Sequence, residues 1–469
     1  MDSTSGRSVV ITRAVFLLAL GLTIAAHVRT AGATYTNPGG FTSSVFATSA
    51  RTFARFGILQ LGGVPVDNNP PIGPNDSYSH WPPLFPAALS ISFRLFGASE
   101  TTGHLFMLVV QILTALLVAA IAQDWLGPLA GALAGFFWLT MPVVVHYGEV
   151  LLTESPAVML MLLSVWAFQR SRLTLCATAA FLGVLTSWEA ALLAPALWAA
   201  AIVGRRTSDR RIAAASTIAI LAALVTVFAV YALHNPALFA DAIHTGLFRM
   251  GLAHTYSQRP IVESPESYVG FVDSISLIAQ NLPRMLGFFG AGALVMLAMS
   301  RPKGSAPVLY GLGAPFVLWA VLMRNHMAVH DLEMLIGAPL AAIALAWMAI
   351  GSVGGQPPRR VWIIACVFGA LVIAQPWILG YQRNPENPRQ ILGFSSGIRD
   401  ATPQDAIVLS PLVSAIPLYY SERHLVRCIP DEEALARVLP YVRSQYPAAP
   451  LYWATPLDAA PWVVVKELQ

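Results

Sequence analysis

Charged side chains are scarce in this chain. Only 11% of its 469 residues are Asp, Glu, Lys or Arg, whereas 56% are hydrophobic and the mean hydropathy is +0.62. A water-soluble globule of this size needs far more polar surface to cover its apolar interior. A wholly soluble fold is therefore excluded, and the bilayer must solvate most of the chain. Cysteine is equally sparse: Cys176, Cys366 and Cys428 are far apart and show no CxxC spacing. That leaves no basis for a disulfide framework, a zinc-cysteine site or a dithiol redox centre. No internal repeat stands out, which argues against the repeat-built transporter folds. A net charge of +4 and a pI near 9.0 do not indicate a nucleic-acid partner, because the basic residues sit in short clusters between apolar runs.

Apolar runs are what the sequence has in abundance. A spanning helix needs roughly 20 apolar residues to cross a hydrocarbon core about 30 Å thick. Ten or eleven segments qualify, at 9–26, 105–122, 129–145, 156–168, 173–185, 190–203, 212–233, 286–300, 306–322, 332–350 and 361–378. The first follows Arg7 and precedes Ala31-Gly32-Ala33, so it also has the outline of a cleavable signal peptide. The stretch 173–203 is too long for one upright helix, and Ser187-Trp188-Glu189 in its middle would place a carboxylate in lipid. Two short or tilted passes follow. With that split, Arg7 and Arg13, Arg170 and Arg172, the run Arg205 to Arg211, Arg301 and Lys303, and Arg359 and Arg360 all fall on one face. The excess of positive charge marks that face as cytoplasmic. The C-terminal segment then lies outside, and function is to be sought on the outer face.

The expected fold class is an α-helical polytopic membrane protein of about 11 transmembrane helices with a small C-terminal α/β soluble domain. The membrane part covers 1–381, with long outer loops at 34–103 and 234–283, and the extracytoplasmic domain covers 382–469. In the first loop Phe46, Phe53 and Phe56 recur at helical spacing, which predicts a helix packed on the membrane surface. The polar stretch 382–388 contains two prolines and ends the last span. Beyond it, 406–409 reads as a strand, 431–439 as an amphipathic helix and 462–465 as another strand.

With the topology set, polar residues gather at the outer helix ends. His80 precedes Trp81-Pro82-Pro83; His146, Tyr147, Glu149, Thr153 and Glu154 occupy the turn between the third and fourth spans; Glu189 caps the split hairpin. Arg324, Asn325, His326, His330, Asp331 and Glu333 surround the start of the tenth. Ionisable groups at membrane depth are expensive, so such a gathering points to a wet functional cavity. Each residue also has a plainer reading. Glu154, ahead of Ser155-Pro156, suits the first turn of a helix. Glu149 fits a solvated loop, His80 the interface, and His330 with Asp331 a helix cap. Glu189 and His326 read as structural.

These positions also carry a resemblance. Ser79-His80-Trp81-Pro82-Pro83-Leu84-Phe85-Pro86, followed by Phe93-Arg94-Leu95-Phe96-Gly97, resembles the GT-C superfamily of membrane glycosyltransferases, in its protein mannosyltransferase and aminoarabinose transferase-like branch. Met141-Pro142 through His146-Tyr147-Gly148-Glu149 to Thr153-Glu154-Ser155-Pro156 is similar to the second acidic motif of that superfamily, and Val329-His330-Asp331 to its late outer-face motif. The resemblance covers roughly 9–380, and the C-terminal domain is similar to the appendage of many bacterial members. One departure is plain. Such enzymes carry an Asp early in the first outer loop, whereas Asn37 to Ser44 here contain no acid; Asp67 and Asp76 would substitute only if the loop folds back.

The resemblance implies a multi-pass protein of the bacterial inner or plasma membrane. It would move a sugar from a polyprenyl-phosphate donor to a lipid, glycan or protein acceptor on the extracytoplasmic face, with membrane lipids as its surroundings. A carboxylate must take the acceptor proton, and cations or a divalent metal ion must balance charge on the departing phosphate. The expected roles are Glu154 as base, Glu149 as its support, His80 and His330 for the phosphate or metal, and Asp331 to orient His330. Two other classes remain open: an inactive relative acting as a binding or scaffold protein, favoured by the missing Asp, and a transporter or flippase.

Overall fold

The structure, a computed structural model, describes residues 3–36, 39–73, 76–204, 207–255, 268–300, 302, 304–351 and 387–468. The expected eleventh span at 361–378 lies outside the described residues, as do Cys366 and the basic residues Arg205, Arg206, Arg301, Lys303, Arg359 and Arg360.

Helices dominate. In chain order they begin with α1 (Ser3–Thr30), α2 (Gly40–Phe56), α3 (Leu84–Phe96), α4 (Glu100–Leu126), α5 (Pro128–Thr140), α6 (Pro142–Tyr147) and α7 (Glu154–Gln169). Then come α8 (Leu173–Thr186), α9 (Leu193–Gly204), α10 (Thr207–His234), α11 (Pro236–Arg249), α12 (Phe271–Leu286) and α13 (Phe288–Ser300). Local chemistry sets several of these boundaries. The Ser99 side chain accepts from Thr102 N at 3.3 Å and starts α4. Proline at the first helical position suits α5, α6 and α11, where the missing N–H loses nothing. A Cβ on Gly131 would sit 2.7 Å from the Ala119 carbonyl oxygen, so α4 and α5 pack this closely only because that residue is glycine.

The apolar stretches read from the sequence are present as helices, but most are interrupted. Among the described residues, only α4 and α10 are long and apolar enough to cross a bilayer unbroken, and α12 with α13 adds an apolar pair bent by 107°. The other apolar helices have 10–17 residues, which at about 1.5 Å per residue falls short of a core about 30 Å thick. The described residues therefore do not reach eleven full-length spans. Breaks in the helices account for the difference. Met141 is extended ahead of Pro142, a 3-10 turn at Trp188–Leu192 divides the 173–203 stretch, a π turn at Leu309–Gly313 interrupts 306–322, and a 3-10 turn at Asp331–Ile336 precedes Ala338–Gly351. The division at Glu189 falls where the sequence expectation put it.

The C-terminal region carries a four-stranded sheet, β1 (Ile407–Leu409), β2 (His424–Val426), β3 (Leu451–Pro456) and β4 (Val463–Leu468), in the order β2-β1-β3-β4. β1 pairs in parallel with β2 and β3, and β4 closes the other edge antiparallel to β3. Helices Pro388–Ala401, Ile416–Ser421 and Glu432–Gln445 accompany it. This is the small α/β arrangement expected, with β2 and β3 added to the strands legible in the sequence.

The sheet is fastened to the loop between α2 and α3. The Asn68 side chain bonds the exposed edge of β2, accepting from Leu425 N and donating to Leu425 O, each at 3.0 Å. The Arg51 guanidinium donates to Tyr419 O at 3.0 Å and lies 4.6 Å from the Tyr419 ring centroid. Asp76 accepts from Tyr446 OH at 2.7 Å and faces His424 Nε2 at 3.5 Å. Burial and the neighbouring Asp76 carboxylate push the Tyr446 hydroxyl above the ordinary phenol range, so it stays a donor. Replacing Asn68 by Ala strands a buried N–H and C=O of Leu425, at about 1–3 kcal/mol. The expected result is a lower thermal midpoint and faster proteolysis of the C-terminal region in purified protein.

Candidate functional site

A cavity of about 410 Å³ opens where α2, α7, α11, the loop before α3 and the segment 326–333 meet. Gly39 has φ +83°, and a Cβ there would come 2.6 Å from Val150 Cγ1, so glycine lets α2 start against the loop that precedes α7. The Ser43 hydroxyl accepts from Leu151 N at 3.1 Å and fixes that contact. Glu154 is thereby delivered at the first turn of α7, 4% exposed and facing the cavity. Its Oε2 accepts from the Thr153 hydroxyl at 3.3 Å.

Beside it lies a second carboxylate that is already committed. Glu333 Oε1 is 2.8 Å from His326 Nε2, and its Oε2 accepts from Trp319 Nε1 at 2.9 Å. The His326 ring stands 4.5 Å from that of His330 and 5.7 Å from that of Trp81, centroid to centroid. Glu154 and Glu189 are within electrostatic reach of Glu333. Glu333 is engaged by His326 and Trp319, and among the described residues Glu154 makes no ion pair, which leaves Glu154 the less committed of the two.

The opposite wall comes from the loop after α2, which doubles back through a single antiparallel bridge between Val66 and Ser77. Asp67 N donates to Asp76 O at 3.2 Å and Tyr78 N to Pro65 O at 2.7 Å. This brings Asp67 and His80 to the same cavity. Asp76, in contrast, is turned to the C-terminal sheet. His80 Nε2 stands 3.5 Å from Asp241 Oδ2, which also accepts from the Ser79 hydroxyl at 3.1 Å. The His80 carbonyl accepts from Trp188 Nε1 at 2.8 Å and Arg249 Nη1 at 3.3 Å, and the Arg249 guanidinium lies 4.6 Å from the Trp81 ring centroid. Asp241 and Arg249 are both buried at 5% exposure.

Of the residues expected from the sequence, Glu154, His80 and His330 line this one cavity. Glu149 and Asp331 are not among its lining. Glu149 Oε1 accepts from the Thr30 hydroxyl at 2.6 Å and lies 4.0 Å from His27 Nδ1, because the break at Pro142 and the coil 150–153 turn it toward α1. Asp331 Oδ1 accepts from Tyr147 OH at 2.5 Å. Glu189 is buried in its 3-10 turn and accepts from the Ser187 hydroxyl. Sequence reasoning missed Asp241 and Arg249, which lie on α11 within a stretch read as loop, and it read His326 as structural although it lines the cavity. The signal for α11 was present: Asn235-Pro236 is a helix cap followed by proline, and the Asn235 side chain accepts from Ala237 N at 3.0 Å. No three His, Cys, Asp or Glu side chains among the described residues are grouped as metal ligands.

The apolar helical body, with a polar, carboxylate-bearing cavity among its helix ends, resembles the fold of GT-C glycosyltransferases. Residues 80–234 match the sequence profile of the dolichyl-phosphate-mannose-protein mannosyltransferase family, a region holding both the His80 and Glu154 motifs. The solved structures it resembles include ArnT from Cupriavidus metallidurans bound to undecaprenyl phosphate. That likeness has a TM-score of 0.62 and 15% identity, over 97% of this chain and 94% of that one. The apo oligosaccharyltransferase of Archaeoglobus fulgidus gives a TM-score of 0.61 at 12% identity, over 94% of this chain and 69% of that one. The same archaeal enzyme with an inhibitory peptide and a dolichol-phosphate gives 0.59 at 12% identity, over 94% of this chain and 69% of that one. No curated protein matches the sequence. The resemblance to the GT-C superfamily of glycosyltransferases, read first from short motifs, thus extends to the fold of nearly the whole chain.

Proposed function

We propose that this protein is a membrane glycosyltransferase that moves a sugar from a polyprenyl-phosphate donor to a hydroxyl acceptor at the extracytoplasmic face. The membrane part is assigned to 1–381 and the appended domain to 382–469. The observation that carries the reading is one cavity that holds an uncommitted buried carboxylate, Glu154, together with a buried cation, Arg249. The basic clusters support that facing. α7 presents Glu154 at its first turn and ends next to Arg170 and Arg172; α10 starts beside Arg210 and Arg211 and reaches the cavity wall through Tyr231, whose OH donates to Trp81 O at 2.6 Å. The basic ends are opposite to the cavity, as the positive-inside rule requires of an outward-facing site.

In the proposed reaction Glu154 takes the proton of the acceptor hydroxyl while its oxygen bonds to the anomeric carbon. The bond from that carbon to the phosphate oxygen breaks, and polyprenyl phosphate leaves with the electron pair. Arg249 and His80 oppose the charge that develops on it. Asp67 also lines the cavity, beside Asp241 and Glu333, and is the carboxylate of the first outer loop that could stand in for the family's missing acid. Asp241 holds the His80 ring. Replacing Asp241 by Asn weakens that hold by about 1.5 kcal/mol and is expected to slow turnover roughly tenfold, with donor KM nearly unchanged.

The test is transfer by purified protein in nanodiscs supplied with radiolabelled polyprenyl-phosphate sugars and hydroxyl acceptors. Label recovered in acceptor supports the reading. Tight binding of polyprenyl phosphate with no transfer from any donor would replace it with the scaffold reading, which the acid-free segment Asn37 to Ser44 favours.

A further inference from the structure

The cavity is not built by the helical body alone. Val413 and Arg427, both from the C-terminal sheet region, form part of its lining together with Phe41 of α2. Arg427 directly follows β2, the strand whose edge Asn68 bonds, so its backbone is tied to the loop that carries Asp67 and His80. Its side chain is placed by two contacts: Nη1 donates to Val413 O at 2.8 Å, and the guanidinium lies 5.3 Å from the Phe41 ring centroid. Among the described residues it forms no ion pair. Arg249, the other arginine of the lining, sits on α11 against Trp81 and the His80 carbonyl.

A guanidinium held by a carbonyl and a ring, on a residue that lines a cavity, is arranged for an oxyanion. Glu154, Glu333, Asp67 and Asp241 share the lining, so an anionic substrate needs a cation to hold it in this space. We infer that Arg427 is a specificity-determining residue that receives a carboxylate or phosphate on the acceptor, so that the C-terminal domain selects anionic glycans or anionic lipid headgroups over neutral ones. The inference rests on the transferase reading for its context and deepens it, since it assigns the donor phosphate to Arg249 and the acceptor anion to Arg427.

The experiment uses the full chain in nanodiscs and two synthetic probes that differ in one charge, an alkyl glucoside and the matching alkyl glucuronide. Binding of each is measured directly by calorimetry, beside binding of undecaprenyl phosphate. Wild type is expected to prefer the glucuronide about tenfold, Arg427→Gln to remove that preference, and Arg427→Lys to restore part of it. Undecaprenyl phosphate should bind the three proteins within about twofold. Equal binding of the two probes by wild type overturns the inference, and so does a selective loss of undecaprenyl phosphate binding in Arg427→Gln, which would place the donor phosphate there. Because binding is read without turnover, charge-selective binding in a protein that transfers no sugar would sink the transferase reading while leaving the anion site standing.

Discussion

Replacing Glu154 by Gln is expected to reduce sugar transfer by about 10²–10⁴-fold while leaving the affinity for undecaprenyl phosphate and the thermal midpoint near those of wild type. Gln has nearly the same shape, and its amide oxygen can still accept from the Thr153 hydroxyl that Glu154 Oε2 meets at 3.3 Å. What it cannot do is take a proton. The neighbouring Glu333 is a poor replacement because both of its oxygens are engaged, one by His326 at 2.8 Å and one by Trp319 at 2.9 Å. Asp67 is the competing base, since it shares the cavity. Initial rates for Glu154→Gln and Asp67→Asn, measured side by side, decide between them. A collapse in Asp67→Asn with unchanged turnover in Glu154→Gln would move the base to Asp67 and remove Glu154 from the mechanism.

The residues that sequence reading found and those it missed differ in how they reach the cavity. Glu154 stands at the start of an apolar helix, His80 lies just ahead of one and His330 lies one 3-10 turn ahead of another, so the hydropathy pattern alone places them near helix ends. Topology then suffices to bring them near one another. Glu149 shows where that logic fails. It is five residues from Glu154 in the sequence, but a short helix and a coil intervene, and its carboxylate points to Thr30 and His27 of α1. Proximity to a helix end fixes depth in the membrane, not the direction around the helix axis. Asp67 enters through a lone bridge between Val66 and Ser77, a pairing with no local signature. Arg427 enters through the docking of a sheet whose strands are remote from the cavity in sequence, and a contact of that kind depends on many buried hydrogen bonds at once.

The arginine on α11 carries the second large effect. Arg249→Gln removes the buried cation that the mechanism sets against the donor phosphate, and truncating one partner of a buried charge pair is expected to weaken binding by roughly 2–5 kcal/mol, about thirtyfold to a few thousandfold in Kd. The physical argument is one of dielectric: at 5% exposure Arg249 meets a phosphate with little water between them, so its charge is screened far less than that of a surface arginine. Lysine should recover only part of the loss, because it lacks the planar fork and the stacking that holds the guanidinium 4.6 Å from the Trp81 centroid. The measurement is direct binding of undecaprenyl phosphate to wild type, Arg249→Gln and Arg249→Lys in nanodiscs, repeated at two salt concentrations. A surface contact would lose affinity steeply with salt, whereas this one should change little. Wild-type affinity in Arg249→Gln would show that the phosphate is held elsewhere in the cavity, with Arg427 the first place to look.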